Sequence, residues 1–132
     1  MTRRKRILLL TAAVVLLGIA LALNYRLGHL GVRAKICNAL NEFGYDFEYS
    51  DIYVTGSTRD VNIRELLTDV DLTAAIAASK QAGFPSDVDR VGEVAVLLAS
   101  VSDTRVVTVY TVDGDMELCF IQVLESEAVE PL

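Results

Sequence analysis

The rhythm of apolar and polar positions changes after the first quarter of this 132-residue chain. One unbroken apolar run, Ile7 to Leu23, comes first; its only polar member is Thr11, and Arg3-Arg4-Lys5-Arg6 precedes it. As a helix rising about 1.5 Å per residue it spans roughly 25 Å, near the lower limit for a hydrocarbon core of about 30 Å. A helix apolar on every side beneath four basic residues is not the core helix of a domain this small.

Two readings fit the run. In the first it is an uncleaved signal anchor over residues 7–26, with Asn24, Tyr25 and Arg26 reaching the interface. In the second it is a signal peptide: a basic n-region up to Arg6, an h-region Ile7 to Leu17, and small residues at Ala20-Leu21-Ala22 for cleavage after residue 22. The run is longer than the usual h-region of about 7–15 residues, which favours the anchor. More basic side chains stand before the run than after it, so residues 1–6 are expected in the cytoplasm and the rest outside. The expected localisation is the cell membrane, single-pass.

Beyond the run the spacing predicts an α+β domain over residues 32–124. Val32, Ile36, Leu40 and Phe43 repeat at helical spacing, with Gly44 placed to end the helix. Tyr45-Asp46-Phe47-Glu48-Tyr49-Ser50 alternates at strand period, restarts through Ile52-Tyr53-Val54 and stops at Gly56. Asn62 and Glu65 resemble a capping box for a short helix carrying Ile63, Leu66, Leu67 and Val70. Asp71 caps a second, alanine-rich helix from Leu72 to Ala82, ended by Gly83-Phe84-Pro85. Three β-branched runs follow, Val91–Val101, Arg105–Val112 and Met116–Leu124; the Asp113-Gly114 between the last two is a hairpin signal. The expected fold is a transmembrane helix followed by helices packed on one face of a three- to four-stranded antiparallel sheet with a C-terminal meander. Both faces of the meander carry apolar residues, so the pattern leaves open which face meets the helices. Residues 125–132 read as a frayed acidic tail.

Charge sharpens this division. Seven basic residues and no acid lie up to Lys35; beyond it Arg59, Arg64, Lys80, Arg90 and Arg105 face all 18 acids, a net of −13. A surface so acidic repels phosphate backbones, which argues against nucleic-acid binding. It serves solubility and suits a cationic protein partner.

Candidate chemistry is sparse. Cys37 and Cys119 are the two cysteines, and export would place them where a disulfide can form; as small buried hydrophobes they need no bond. Tyr45, Phe47 and Tyr49 share a predicted strand face and form a candidate aromatic binding face, although ordinary core packing against the first helix is the preferred explanation. The single histidine, His29, stands close to the apolar run and reads as an interfacial residue. Asp69-Val-Asp71, Asp87-Val-Asp89 and Asp113-Gly-Asp115 could offer calcium oxygen ligands, but none continues into an EF-hand loop and each falls where a cap or turn is expected. No phosphate-binding glycine loop, metal-ligand spacing or nucleophile–histidine pair occurs, so no cofactor or catalytic residue is implied. The sequence therefore points to a non-enzymatic interaction or sensing module anchored through residues 7–26. The alternatives are a released secreted domain or a small exported enzyme using carboxylates.

Overall fold

A computed structural model describes residues 3–68 and 70–132, with the side chains of residues 22–30 outside that description. The chain forms two compact units, Met1–Lys35 and Ile36–Leu132. Helix α1 runs Arg3–Asn41. In the first unit its side chains from Ile7 to Leu21 are exposed throughout, on every side of the helix. Among the described residues, however, no helix is long and apolar enough to cross a membrane. The described apolar stretch covers roughly 22 Å of helix at about 1.5 Å per residue, short of the span a bilayer core demands. The expected N-terminal element is thus present as a helix, and a transmembrane length is not among its described features.

The second unit is α+β, built on a five-stranded antiparallel sheet in the order β1-β2-β3-β4-β5. Its strands are β1 (Ile52–Val61), β2 (Gly92–Ser100), β3 (Arg105–Val112), β4 (Asp115–Val123) and β5 (Val129–Glu130). Two helices, α2 (Ile63–Leu66) and α3 (Leu72–Gln81), connect β1 to β2. The three-stranded meander expected from Val91 onward is present as β2–β4, extended by one strand on each side.

Register decides the core. Asp113 and Gly114 both take positive φ (50° and 84°), a two-residue type I′ turn whose twist matches the strands it joins. With Val112 opposite Asp115 and Tyr110 opposite Leu118, Glu117 is left as the extra residue of a bulge. Val94, Tyr110, Val112, Leu118 and Phe120 then share one face and pack against Ile63, Leu67, Ala75 and Ala78 of the α2–α3 segment. Alanines suffice in α3 because its backbone lies close to the sheet. The opposite face carries Leu97, Ala99, Val107, Val109, Cys119 and Ile121, all buried. The buried side chains left to cover it come chiefly from the last turns of α1: Ile36, Cys37 and Leu40. Both faces of the sheet are therefore covered, which corrects the one-sided packing expected from sequence. A central strand that is apolar on both sides, as β3 is, requires this.

Three further expectations are corrected. Tyr45–Ser50 is not a strand. The backbone of Phe47 is taken by α1 instead: its N–H donates to Asn41 Oδ1 at 2.8 Å, and its carbonyl accepts from Asn41 Nδ2 at 3.0 Å and from Cys37 Sγ at 3.1 Å. A reciprocal Glu48–Asp51 box then closes a single 3-10 turn at Tyr49–Asp51, so period-2 alternation there never meets a ladder. Strand β1 does not stop at Gly56; a bulge at Thr55 absorbs the break and pairing continues to Val61 opposite Gly92. The tail is not frayed either, since Val129–Glu130 pairs with β4 and Arg105 Nε donates to Glu130 Oε2 at 3.1 Å. The helix end, by contrast, follows the sequence: Gly44 (φ 96°) donates to Asn41 O at 3.1 Å as α1 closes.

The two sheet edges differ. Along β4, two outward backbone groups not used by β5 are met by α3 and by the connection after it. The Cys119 N–H donates to Ser79 Oγ at 3.0 Å, and Ser86 N–H donates to Glu117 O at 2.7 Å, while the two serine hydroxyls lie 2.7 Å apart. Ser86 holds a left-handed φ of 63° to make these contacts. Along β1 nothing comparable occurs among the described residues, and eight of its ten residues are exposed.

These two environments make opposite predictions for hydroxyl removal. Ser79→Ala leaves the buried Cys119 N–H without its acceptor and should lower unfolding free energy by about 1–3 kcal/mol in chemical denaturation. Thr108 Oγ1, buried with no partner, is different. Thr108→Val removes an unsatisfied group at constant volume and should be neutral or stabilising by about 1 kcal/mol. A loss of equal size in both variants would contradict this hydrogen-bond assignment.

Candidate functional site

The aspartate pairs singled out from sequence lie in capping and turn geometry. Asp71 Oδ1 accepts from Ala74 N–H at 3.2 Å as the cap of α3; its neighbour Asp69 lies outside the described residues. Asp89 is held by Arg64 through both carboxylate oxygens, Nε at 2.7 Å and Nη2 at 3.2 Å. Asp87 Oδ1 accepts from Asp89 N–H, and Asp113 Oδ1 from Glu93 N–H at 2.9 Å. Arg90 lies 3.1 Å from Asp115, 3.5 Å from Glu117 and 3.9 Å from Asp113. The Glu117 carboxylate, nearly buried, also accepts from Asp87 N–H at 2.8 Å. The fold thus brings two of the three pairs to one region and supplies arginines for them. Among the described residues no three His, Cys, Asp or Glu side chains converge to hold a metal ion.

The candidate Cys37–Cys119 bridge is not formed: both are free, buried thiols. Cys37 spends its hydrogen on the Phe47 carbonyl. Burial pushes the Cys119 thiol far above its ordinary value, which keeps it protonated and unreactive. Of the candidate aromatic face, Tyr45 and Phe47 are half-buried and stack with centroids 5.1 Å apart, whereas Tyr49 is exposed on the 3-10 turn. Burial, with the nearby Cys119 and Glu130, raises the Tyr45 phenol. The three aromatics therefore do not share a strand face. His29 falls among the residues whose side chains are not described.

A concave site lies elsewhere, beside the β1 edge of the sheet. A groove of about 310 Å³ opens between β1 and α2. Val94, Val96 and Tyr110 line it from β2 and β3, and Leu66 from α2. Thr55, Gly56, Ser57 and Thr58 line it from β1. The bulge creates part of this shape: Thr55 turns to donate its hydroxyl to Val96 O at 3.1 Å, and a Cβ added to Gly56 would meet nothing within 4 Å. Pairing Gly56 with Val96 and Thr58 with Val94 puts these residues on the face that α2 and α3 share. The lining contains hydroxyl, aliphatic and phenol groups, with no carboxylate, imidazole, thiol or amine. Such a surface can hold an apolar group and orient it by hydrogen bonds; it offers no acid–base pair.

No family model, curated protein or solved structure matches the chain. The residues themselves must carry any functional reading.

Sequence reasoning missed this groove because it ended β1 at Gly56. The signal present was the β-branched and hydroxyl pattern Thr55, Thr58 and Val61 continuing past the glycine, together with Arg59-Asp60 as edge charges.

Two outcomes are expected. The Arg64–Asp89 and Arg105–Glu130 hydrogen bonds hold these carboxyls below their ordinary values of 3.8 and 4.5. A carboxyl lowered by folding contributes stability that is present above its unfolded value and lost as pH falls through its folded one. The melting temperature should therefore fall more steeply with acidification below about pH 4 in the parent chain than in an Arg64→Met, Arg105→Met variant. Superimposable acid limbs would remove these pairs from the account. For the thiols, native-state alkylation followed by intact mass should show both slow to react, with two adducts appearing only on denaturation. A denatured, unreduced chain that takes up none would establish a bridge instead.

Proposed function

We propose that this chain is a single-pass, membrane-anchored binding module: residues 7–26 hold it in the membrane, and the α+β unit works outside the cell as a non-enzymatic interaction domain. The observation that carries the binding role is the groove beside an unpaired strand edge, lined by groups that recognise rather than react. The aspartates paired in the sequence serve structural contacts: Asp71 caps α3, Asp113 accepts from Glu93 N–H, and Asp89 and Asp115 pair with Arg64 and Arg90.

The anchor rests on sequence and on exposure. Large apolar side chains such as Leu8, Leu10, Val14, Leu16 and Leu17 are all more than 60% exposed. Soluble monomers rarely expose a surface of that kind, which supports the anchor. In sequence the run continues through Ala22 and Leu23, and Asn24, Tyr25 and Arg26 can then reach the headgroups, completing the span. The basic residues ahead of it set the orientation.

Fractionation of the expressed full-length chain with intact mass tests this. The expected result is full mass in the membrane fraction, resisting carbonate extraction. A soluble exported chain beginning at Leu23 would overturn the anchor and make this a secreted domain. Turnover of a substrate that disappears with a single Asp or Glu substitution would overturn the non-enzymatic role.

A further inference from the structure

We propose that the outer edge of β1 is a strand-addition site, taking an extended basic segment of a partner protein whose apolar side chain enters the groove at Gly56. The inference rests on the binding-module reading and names the partner class for that same site.

The asymmetry between the sheet's two edges is its starting point. Every sheet end exposes unpaired N–H and C=O groups, and proteins usually cover or blunt them. Here the β4 edge is closed by Ser79, Ser86 and β5. Among the described residues, the β1 edge, from Ile52 to Val61, pairs on its inner side only. An added strand would gain main-chain hydrogen bonds along that edge, as strand addition does generally. Alternate side chains of the added strand would then point to the face where Gly56, Val94 and Val96 form the groove. The space over Gly56 is open, so an aliphatic side chain of the partner has a place to go.

Charge selects the partner. The chain beyond Lys35 carries a net of −13. Asp51 stands at the start of β1, Asp60 near its end and Glu93 on the paired strand; Arg59 is the single cation in β1, 3.9 Å from Glu93. A second copy of this acidic unit would bring like charges together along the edge, whereas a basic segment would neutralise them. The favoured occupant is therefore cationic and extended, with alternating apolar residues.

The experiment uses the full-length chain in detergent micelles and a capped heptapeptide alternating Lys and Val, read by hydrogen exchange of the β1 amides. A Glu/Val peptide and a Lys/Val peptide N-methylated at alternate residues serve as comparisons. The expected result is protection of amides between Tyr53 and Thr58 by the Lys/Val peptide alone, weakened by salt. Gly56→Val fills the groove, and an added Cβ there meets no neighbour, so the variant should fold and bind the peptide about tenfold more weakly. Equal protection by the Glu/Val peptide, or none at β1 by the Lys/Val peptide at about 1 mM, overturns the proposal. So does concentration-dependent protection of β1 without peptide, which would assign the edge to a second copy. Protection by the Lys/Val peptide at another surface sinks the β1 site while leaving the binding-module reading standing; fractionation tests the anchor separately.

Discussion

The architecture of the folded unit depends on one hairpin corner. The left-handed Asp113-Gly114 turn sets Val112 against Asp115, and the bulge at Glu117 then sets Tyr110 against Leu118 and Thr108 against Phe120. A shift of one residue would send Phe120 and Leu118 to the opposite face. That register gives α2 and α3 one apolar surface and the last turns of α1 another. Gly92 is bound to the same corner: a Cβ there would stand 2.6 Å from the Asp113 carboxylate, which is needed to accept the Glu93 N–H. Close backbone approach and turn chemistry thus reinforce each other at the strand ends.

From this corner follows the different fate of the two edges. The bulge at Glu117 carries its side chain to Asp87 N–H and Arg90, while its carbonyl receives Ser86 N–H. The segment after α3 is drawn along β4 and fills the place that a longer β5 would otherwise take. Among the described residues no such segment reaches β1, because the α2–α3 connection leaves β1 at Val61 and returns to β2 at Gly92, crossing the face rather than the edge. The open edge and the groove beside it are consequences of this route.

The acidic balance is distributed along the same lines. Around the Asp113-Gly114 turn the carboxylates are arranged with Arg64 and Arg90, so that region is held together by its charges. These pairs are exposed and contribute modestly, sensitive to salt. Near β1 there is one arginine for several acids, and the excess charge becomes a property that a partner can read.

What the sequence by itself determined is whatever depends on nearest neighbours along the chain. The caps at Asn62 and Asp71, the Gly44 stop and the Asp113-Gly114 hairpin are all decided within a few residues, and each is found where the pattern puts it. Tertiary structure decided everything that depends on competition for backbone groups. Tyr45–Ser50 alternates like a strand, but Asn41 and Cys37 reach Phe47 first, and the segment becomes a strap. Gly56 looks like a strand end, yet Val96 and Val94 keep β1 in the sheet beyond it. Glu130 looks like part of a loose acidic tail until Arg105 and Ile121 are beside it. Alternation and glycine content state what a segment can do; which hydrogen-bond partner arrives, and on which side, is a matter of residues distant in sequence.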